Sequence, residues 1–279
     1  MLSLNTMKTG QALKSRKIVS QHWYDELNTK RILESLDMTD EKVVLSEDRE
    51  NIRLFILNRP DKLNAMNEAL IHDLVAAIDT AHADDDVAAI VMAGGSRAFS
   101  AGADIKEAAT RKGDSPEAAR RRAASHRSIY QLGARTDKPV IAAVQGYVLG
   151  GGCNLAIASD MVVAGENAIF GYPEVKRGLA ATMVTPGLVH RIGPKAAFEM
   201  LTLAENISAE KALSFGMINR IVADGDVIDE AVAMAQALAA FDQRAIRTTK
   251  RVFLKSTQLS LEQSLDAAAE AMLQLRALD

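Results

Sequence analysis

The chain has 279 residues, 48% of them hydrophobic and 25% charged, with a formal net charge of −3. That composition supplies a full core in one large domain or two small ones and excludes a disordered chain. The charge balance gives no sign of a nucleic-acid partner, no apolar run approaches a membrane span, and a lone cysteine, Cys153, excludes an intramolecular disulfide framework.

Residues 1–40 stand apart as an N-terminal extension. Lys8, Lys14, Arg16 and Lys17 precede the first acid, Asp25, which reads as a poorly ordered basic tail, with an organelle transit peptide as the alternative. The location follows suit: cytoplasmic, or an organelle matrix if that segment is a targeting signal, and a single cysteine suits either. A short helix is expected within 21–36. The folded body is expected to begin near Val43, with strands at 43–45 and 52–57 around a polar turn at 47–51. Pro60 pulls Arg59 out of helical geometry, so 59–64 is read as a loop. Asn67 caps a helix running to about Ala83, with Leu70, Leu74, Ala77 and Ile78 on one face. A strand at 88–93 ends at Gly94-Gly95, and 96–107 reads as a loop of small residues. Ser115 and Pro116 then open a charged helix.

The stretch from 141 to 161 draws most attention. An apolar run, Ile141 to Val144, breaks at Gly146; three glycines, Gly150 to Gly152, lead into the alanine-rich segment 153–158, of helical character. A strand that stops at glycines and restarts as a helix leaves backbone N–H groups unpaired where the helix favours negative charge, and glycine keeps side chains out of the way. This is an anion or oxyanion site on physical grounds alone. Further strands are expected at 161–164 and 168–170. After Pro173 the chain reads as mostly helical, at 182–191, 194–203, 208–215, 227–239 and 243–257. A last helix opens with a capping box at Ser260-Leu261-Glu262-Gln263 and carries an apolar stripe of Leu261, Leu265, Ala268, Met272 and Leu275. That stripe suits packing on its own domain or on another subunit. Strands mixed with helices, then helices alone, predict an α/β core with a helical C-terminal part.

Candidates for chemistry are few. The five histidines lack metal-ligand spacing, no Gly-x-Ser-x-Gly elbow is present, and the glycines fit neither the dinucleotide fingerprint nor the P-loop. That leaves carboxylates near the oxyanion site. Glu174 follows Phe170-Gly171-Tyr172-Pro173 in an apolar, proline-bounded turn, where partial desolvation raises a carboxyl pKa and suits it to move protons. The competing reading is a simple ion pair with Lys176 or Arg177.

Taken together, four ordered blocks resemble the crotonase (enoyl-CoA hydratase/isomerase) family. They are Asn58-Arg59-Pro60 through Lys62-Leu63-Asn64-Ala65-Met66, Ala98 to Glu107, Ile141 to Met161, and Phe170-Gly171 to Pro173-Glu174 with Gly178-Leu179. A C-terminal phrase, 207–222, also fits, so the resemblance spans Val43 to the C-terminus. It implies an α/β spiral core of ββα units over 41–205, with a helical trimerisation part at 206–279. It implies an acyl-CoA thioester as substrate, no cofactor beyond the coenzyme A it carries, no metal, and a homotrimer or homohexamer.

By position, the resemblance gives the amides of Ala101 and Gly151 as the two donors to the thioester oxygen, and Glu174 as the acid/base. Lys62, Leu63 and Ala65, with Ala103, Asp104, Ile105 and Lys106, would line the coenzyme A path. Two-glutamate hydratases of the family carry their first glutamate where this chain has Asn154, which cannot take a proton as a carboxylate can. Asn154 is left to orient a water or a polar substituent. Glu174 alone would suit moving a 3-enoyl double bond to the 2-position, but some family hydratases also resemble this chain in keeping only the second glutamate, and hydration by one glutamate stands slightly ahead. Hydrolysis or decarboxylation of an acyl-CoA, or binding without efficient turnover, are the remaining readings.

Overall fold

The central strands are apolar on both of their alternating faces because both faces are covered. In the computed structural model, residues 42–110 and 113–277 are described; the basic segment and the expected helix at 21–36 lie outside them. A hairpin opens the described chain: β1 (Val44–Arg49) pairs antiparallel with β2 (Ile52–Leu57) through a turn with Glu50 at φ 57°. Then α1 (Glu68–Ala83) starts at Asn67, whose side chain accepts from the Leu70 amide as expected.

From there the chain winds as a spiral. Three times it enters one sheet, turns a corner into a second sheet and leaves into helix. The first turn is β3 (Ala89–Ala93), β4 (Ala98–Ser100), α2 (Ile105–Ala109) and α3 (Pro116–Tyr130). The second is β5 (Val140–Val144), β6 (Tyr147–Leu149) and α4 (Gly151–Ile157). The third is β7 (Met161–Gly165), β8 (Ile169–Gly171), α5 (Thr185–Ile192) and α6 (Pro194–Leu203). This is the α/β spiral expected from the sequence. With β9 at Ile207–Ser208 and β10 at Arg220–Val222, the larger sheet has the order β1-β2-β3-β5-β7-β10 and the smaller β4-β6-β8-β9, all parallel except the β1–β2 and β8–β9 pairs.

The segment after 205 is woven into both sheets. The sequence reading made it helical, yet β9 (Ile207–Ser208) edges the smaller sheet, α7 (Ala209–Ser214) follows, and β10 (Arg220–Val222) edges the larger. Likewise 96–107 is not all loop, since it holds β4 and the start of α2. Strands of two or three residues are too short for an alternating pattern to register.

Period-two alternation divides the core. Ile90 and Met92 of β3 face α1 and α4, while Ala89, Val91 and Ala93 face α8 (Val227–Ala239). Alanines on both sides of that second contact, such as Ala143 against Ala231 and Ala235, let helix and sheet approach closely. The chain closes with α9 (Gln243–Ser256) and α10 (Leu261–Arg276), and the expected capping box at Ser260 forms. On α10 the apolar stripe stays largely uncovered, with Leu261 78% and Leu265 62% exposed.

A polar clasp ties α9 to the core. Lys250 Nζ donates to the Lys138 carbonyl at 2.7 Å and to Asp160 Oδ2 at 2.6 Å, and Asp160 also accepts from the Val140 amide. Burial pushes the Asp160 carboxyl up and the Lys250 ammonium down, and each is opposed by the other's charge. Replacing Lys250 by Met leaves Asp160 buried without its counter-ion. We expect a loss of about 3–5 kcal/mol of unfolding free energy, read by chemical denaturation.

Candidate active site

Two loops meet at the mouth of the spiral, and their pairing decides which amides are left open. Arg59 starts the first loop. Its guanidinium donates to the Ala65 carbonyl and, at 3.0 Å, to Asp104 Oδ2, and its amide donates to Asn64 Oδ1. Asn64, only 1% exposed, donates from Nδ2 to the Ala98 carbonyl, and its own carbonyl accepts from Ser100 Oγ. Asp104 also caps α2 by accepting from the Glu107 amide. Burial pulls its carboxyl up, but that amide and Arg59 together hold it below the ordinary aspartate range.

Within this frame the backbone of 101–104 is zipped onto 63–66. The Ala101 N–H donates to the Leu63 carbonyl at 2.9 Å, Met66 N–H to Gly102 at 2.7 Å, and Asp104 N–H to Met66 at 3.0 Å. The assignment of Ala101 as an open donor is therefore corrected: its N–H is already committed inside the protein. Met66 and Ala103 form a parallel bridge, in which the bonds are made by the residues flanking Ala103. The Ala103 N–H points away from that pairing and has no partner among the described residues. Gly102, at φ 90°, makes the turn between the committed and the open amide.

The second open amide lies against the first loop. A Cβ on Gly102 would stand 3.2 Å from the Gly151 nitrogen and 2.8 Å from the Leu149 carbonyl oxygen. Gly151 is the first residue of α4, so its N–H has no intrahelical acceptor, and none of the described residues supplies one. Ala103 in the paired loop and Gly151 at the N-terminus of α4 thus present two open backbone donors, and a pair of such donors can stabilise a developing oxyanion.

Glu174 stands over the same floor. A Cβ on Gly150, at φ 52°, would lie 2.8 Å from Glu174 Oε1, so only glycine leaves room for the carboxylate. Oε2 is buried without a hydrogen-bond partner, and neither Lys176 nor Arg177 forms an ion pair with Glu174. The simple ion-pair reading fails. Burial pushes the Glu174 carboxyl above the ordinary glutamate range, opposed by its own amide and by the charge of Arg177. Asn154 is 1% exposed and turns toward α5, where a Cβ on Gly187 would be 2.8 Å from its Oδ1; that oxygen has no partner. Burial pushes the neighbouring Cys153 thiol up to about 12, which makes it inert as a nucleophile.

The remaining expected residues border this floor unequally. Lys62, Ala103, Ile105 and Lys106 are exposed, while Leu63 and Ala65 are half-buried in the paired loop. Sequence reasoning missed Ala103 as the open amide, because only the pairing with 63–66 distinguishes it from Ala101. It also missed Tyr130, whose hydroxyl lies over Gly151. No group of three or more His, Cys, Asp or Glu side chains that could hold a metal occurs among the described residues, and no described helix is long and apolar enough to cross a membrane.

Comparison with known proteins agrees with this architecture. A family profile described as enoyl-CoA hydratase/isomerase matches residues 47–277. A probable mitochondrial enoyl-CoA hydratase of Dictyostelium discoideum is 35% identical over 79% of this chain and 78% of its own. A probable enoyl-CoA hydratase of Rhizobium meliloti is 35% identical over 80% and 86%. The crystal structure of a Mycobacterium smegmatis enoyl-CoA hydratase superposes with a TM-score of 0.79 at 32% identity, covering 84% of this chain and 90% of that one.

The raised Glu174 carboxyl has a consequence for stability. Above the ordinary glutamate value of 4.5, the folded state holds this proton more tightly than the unfolded state, so the Glu174 contribution to stability falls as pH rises. Glu174→Gln is expected to raise the melting temperature near neutrality, and the gain should vanish below that value. Melting curves across pH check the sign.

Proposed function

This chain belongs to the enoyl-CoA hydratase/isomerase family, and from that premise we propose that it adds water across the 2,3 double bond of an enoyl-CoA with one glutamate as acid and base. In this reading the thioester oxygen accepts from the Ala103 and Gly151 amides. Glu174 takes a proton from water as the water oxygen bonds to C3, and the electrons of the double bond move onto the thioester oxygen. Glu174 then returns a proton to C2, so that the sum is one water added. The observation that carries the reading is a partly buried carboxylate, its Oε2 without a hydrogen-bond partner, over the same glycines that offer an open helix N-terminus.

Asn154, with its unpartnered Oδ1, is read as a neutral anchor for the water or for a polar substituent. The exposed loop residues Lys62, Ile105 and Lys106, with Leu63, Ala65 and Ala103, are read as the coenzyme A path. Asp104 supports that path by holding Arg59. No cofactor beyond coenzyme A itself enters the chemistry. The neutral residue at 154 favours a second reading, in which Glu174 shuttles a proton between C4 and C2 and the double bond moves. The exposed stripe on α10 supports a homotrimer or homohexamer, and the single buried cysteine suits the cytoplasm or an organelle matrix.

Incubation with trans-2- and cis-3-enoyl-CoAs in deuterium oxide separates the two reactions. Hydration appears as a mass gain of water, isomerisation as deuterium exchange without it. Glu174→Gln is expected to lower kcat by about 10²–10⁴-fold. The wild-type acid limb of kcat/KM is expected above the ordinary glutamate value of 4.5, with activity lost as pH falls and Glu174 takes up its proton. Full activity in the variant would remove Glu174 from the role. Light scattering should give three or six times the chain mass, and Leu261→Glu with Leu265→Glu should reduce it.

A further inference from the structure

Helix α3 ends over the site, and its last residue carries a group that the reaction above leaves unused. A Cβ on Gly151 would lie 2.5 Å from the Tyr130 hydroxyl oxygen, so this oxygen stands directly over the residue whose amide opens the oxyanion site. Glycine at 151 is what admits it. Met66 caps the same glycine, its methyl carbon 2.6 Å from that Cβ position, so the phenol is wedged between the paired loop and α4. The ring is half-buried, and its hydroxyl makes no hydrogen bond with the described residues.

We propose that the Tyr130 hydroxyl is a third donor to the thioester oxygen, beside the Ala103 and Gly151 amides, and that it acts as negative charge builds there. The inference rests on the reading of this floor as a thioester site. A phenol serves as a donor only while it keeps its proton. Burial, and next the charge of Glu174, push the Tyr130 pKa up, so it stays protonated when Glu174 is ionised. The pairing is consistent in sign. A neutral O–H beside a carboxylate base adds no like charge to the site, whereas a lysine there would lower the basicity of Glu174. A donor without a protein partner breaks no intramolecular hydrogen bond when a ligand oxygen arrives.

Tyr130→Phe keeps the ring and removes only the donor. The expected result is a fall in kcat/KM for trans-2-enoyl-CoA of about 10–100-fold, carried by kcat, with KM changed by less than about threefold. An activity-independent readout uses butyryl-CoA labelled with carbon-13 at the thioester carbonyl. Its carbonyl stretch is expected to move to lower frequency on binding to the wild type and to recover part of that shift in Tyr130→Phe, at similar affinity. An unchanged stretch together with unchanged kcat would overturn the assignment, as would a loss confined to KM. Failure of the underlying reading looks different: the wild-type protein then leaves the carbonyl stretch unmoved, or Glu174→Gln keeps full hydratase activity.

Discussion

The register of residues 63–66 against 101–104 is the constraint on which the site depends. Three backbone hydrogen bonds set it, and Arg59 and Asn64 lock it from behind by joining the first loop to Asp104 and to β4. Slide that pairing by one residue and a different amide is left open. Because Ala103 lies at the centre of a parallel bridge, its own N–H is directed outward while its neighbours' polar groups are consumed. Gly102 then brings the loop so near Leu149 and Gly151 that no side chain fits between them. The pair of open amides is thus a product of strand pairing at the loop and of the helix start at α4, neither of which alone provides two donors.

The electrostatics follow from the same packing. Gly150 and Gly151 form a floor with no side chains, and the atoms that fill the space are Glu174 Oε1 and the Tyr130 hydroxyl. Burial raises the pKa of both, along with that of Cys153. The effect differs by group because their ordinary values differ. A raised carboxyl stays ionisable near neutrality, whereas a raised phenol or thiol is locked in its neutral form. One burial effect therefore leaves a single base among neutral groups. The inert thiol and the absence of an ion pair at Glu174 point the same way.

Much of this was legible in the sequence, and the exceptions share a cause. The glycine stretch, the Asn67 and Ser260 caps, the apolar face of α1, and the partly desolvated Glu174 all announce themselves through local pattern. Local pattern carries that information because caps, periodicity and turns are decided within a few residues. The strands β4, β6, β9 and β10 were not legible, being two or three residues long and specified by what they pair with. The same holds for Ala101 and Ala103. Both are small, both flank Gly102, and only a contact with residues some forty positions earlier separates the committed amide from the open one. Tyr130 is the longest reach of all, since the end of a charged surface helix gives no hint that its last ring meets α4.

A neutral residue at 154 then has a physical meaning beyond a missing base. Two carboxylates sharing one water repel, and each raises the other's pKa until the pair titrates as a coupled unit. Here no like charge contributes to the Glu174 shift, which comes from burial and is reduced by Arg177. A lone carboxylate of this kind has no second carboxylate with which to share its proton. The amide of Asn154 packs against Gly187, where even a methyl group would collide with Oδ1. The site is built around one negative charge, and in the proposed reaction that charge must serve both ends of the water addition in turn. The burden of stabilising the intermediate then falls on neutral donors, which is the physical reason a third one beside Gly151 matters.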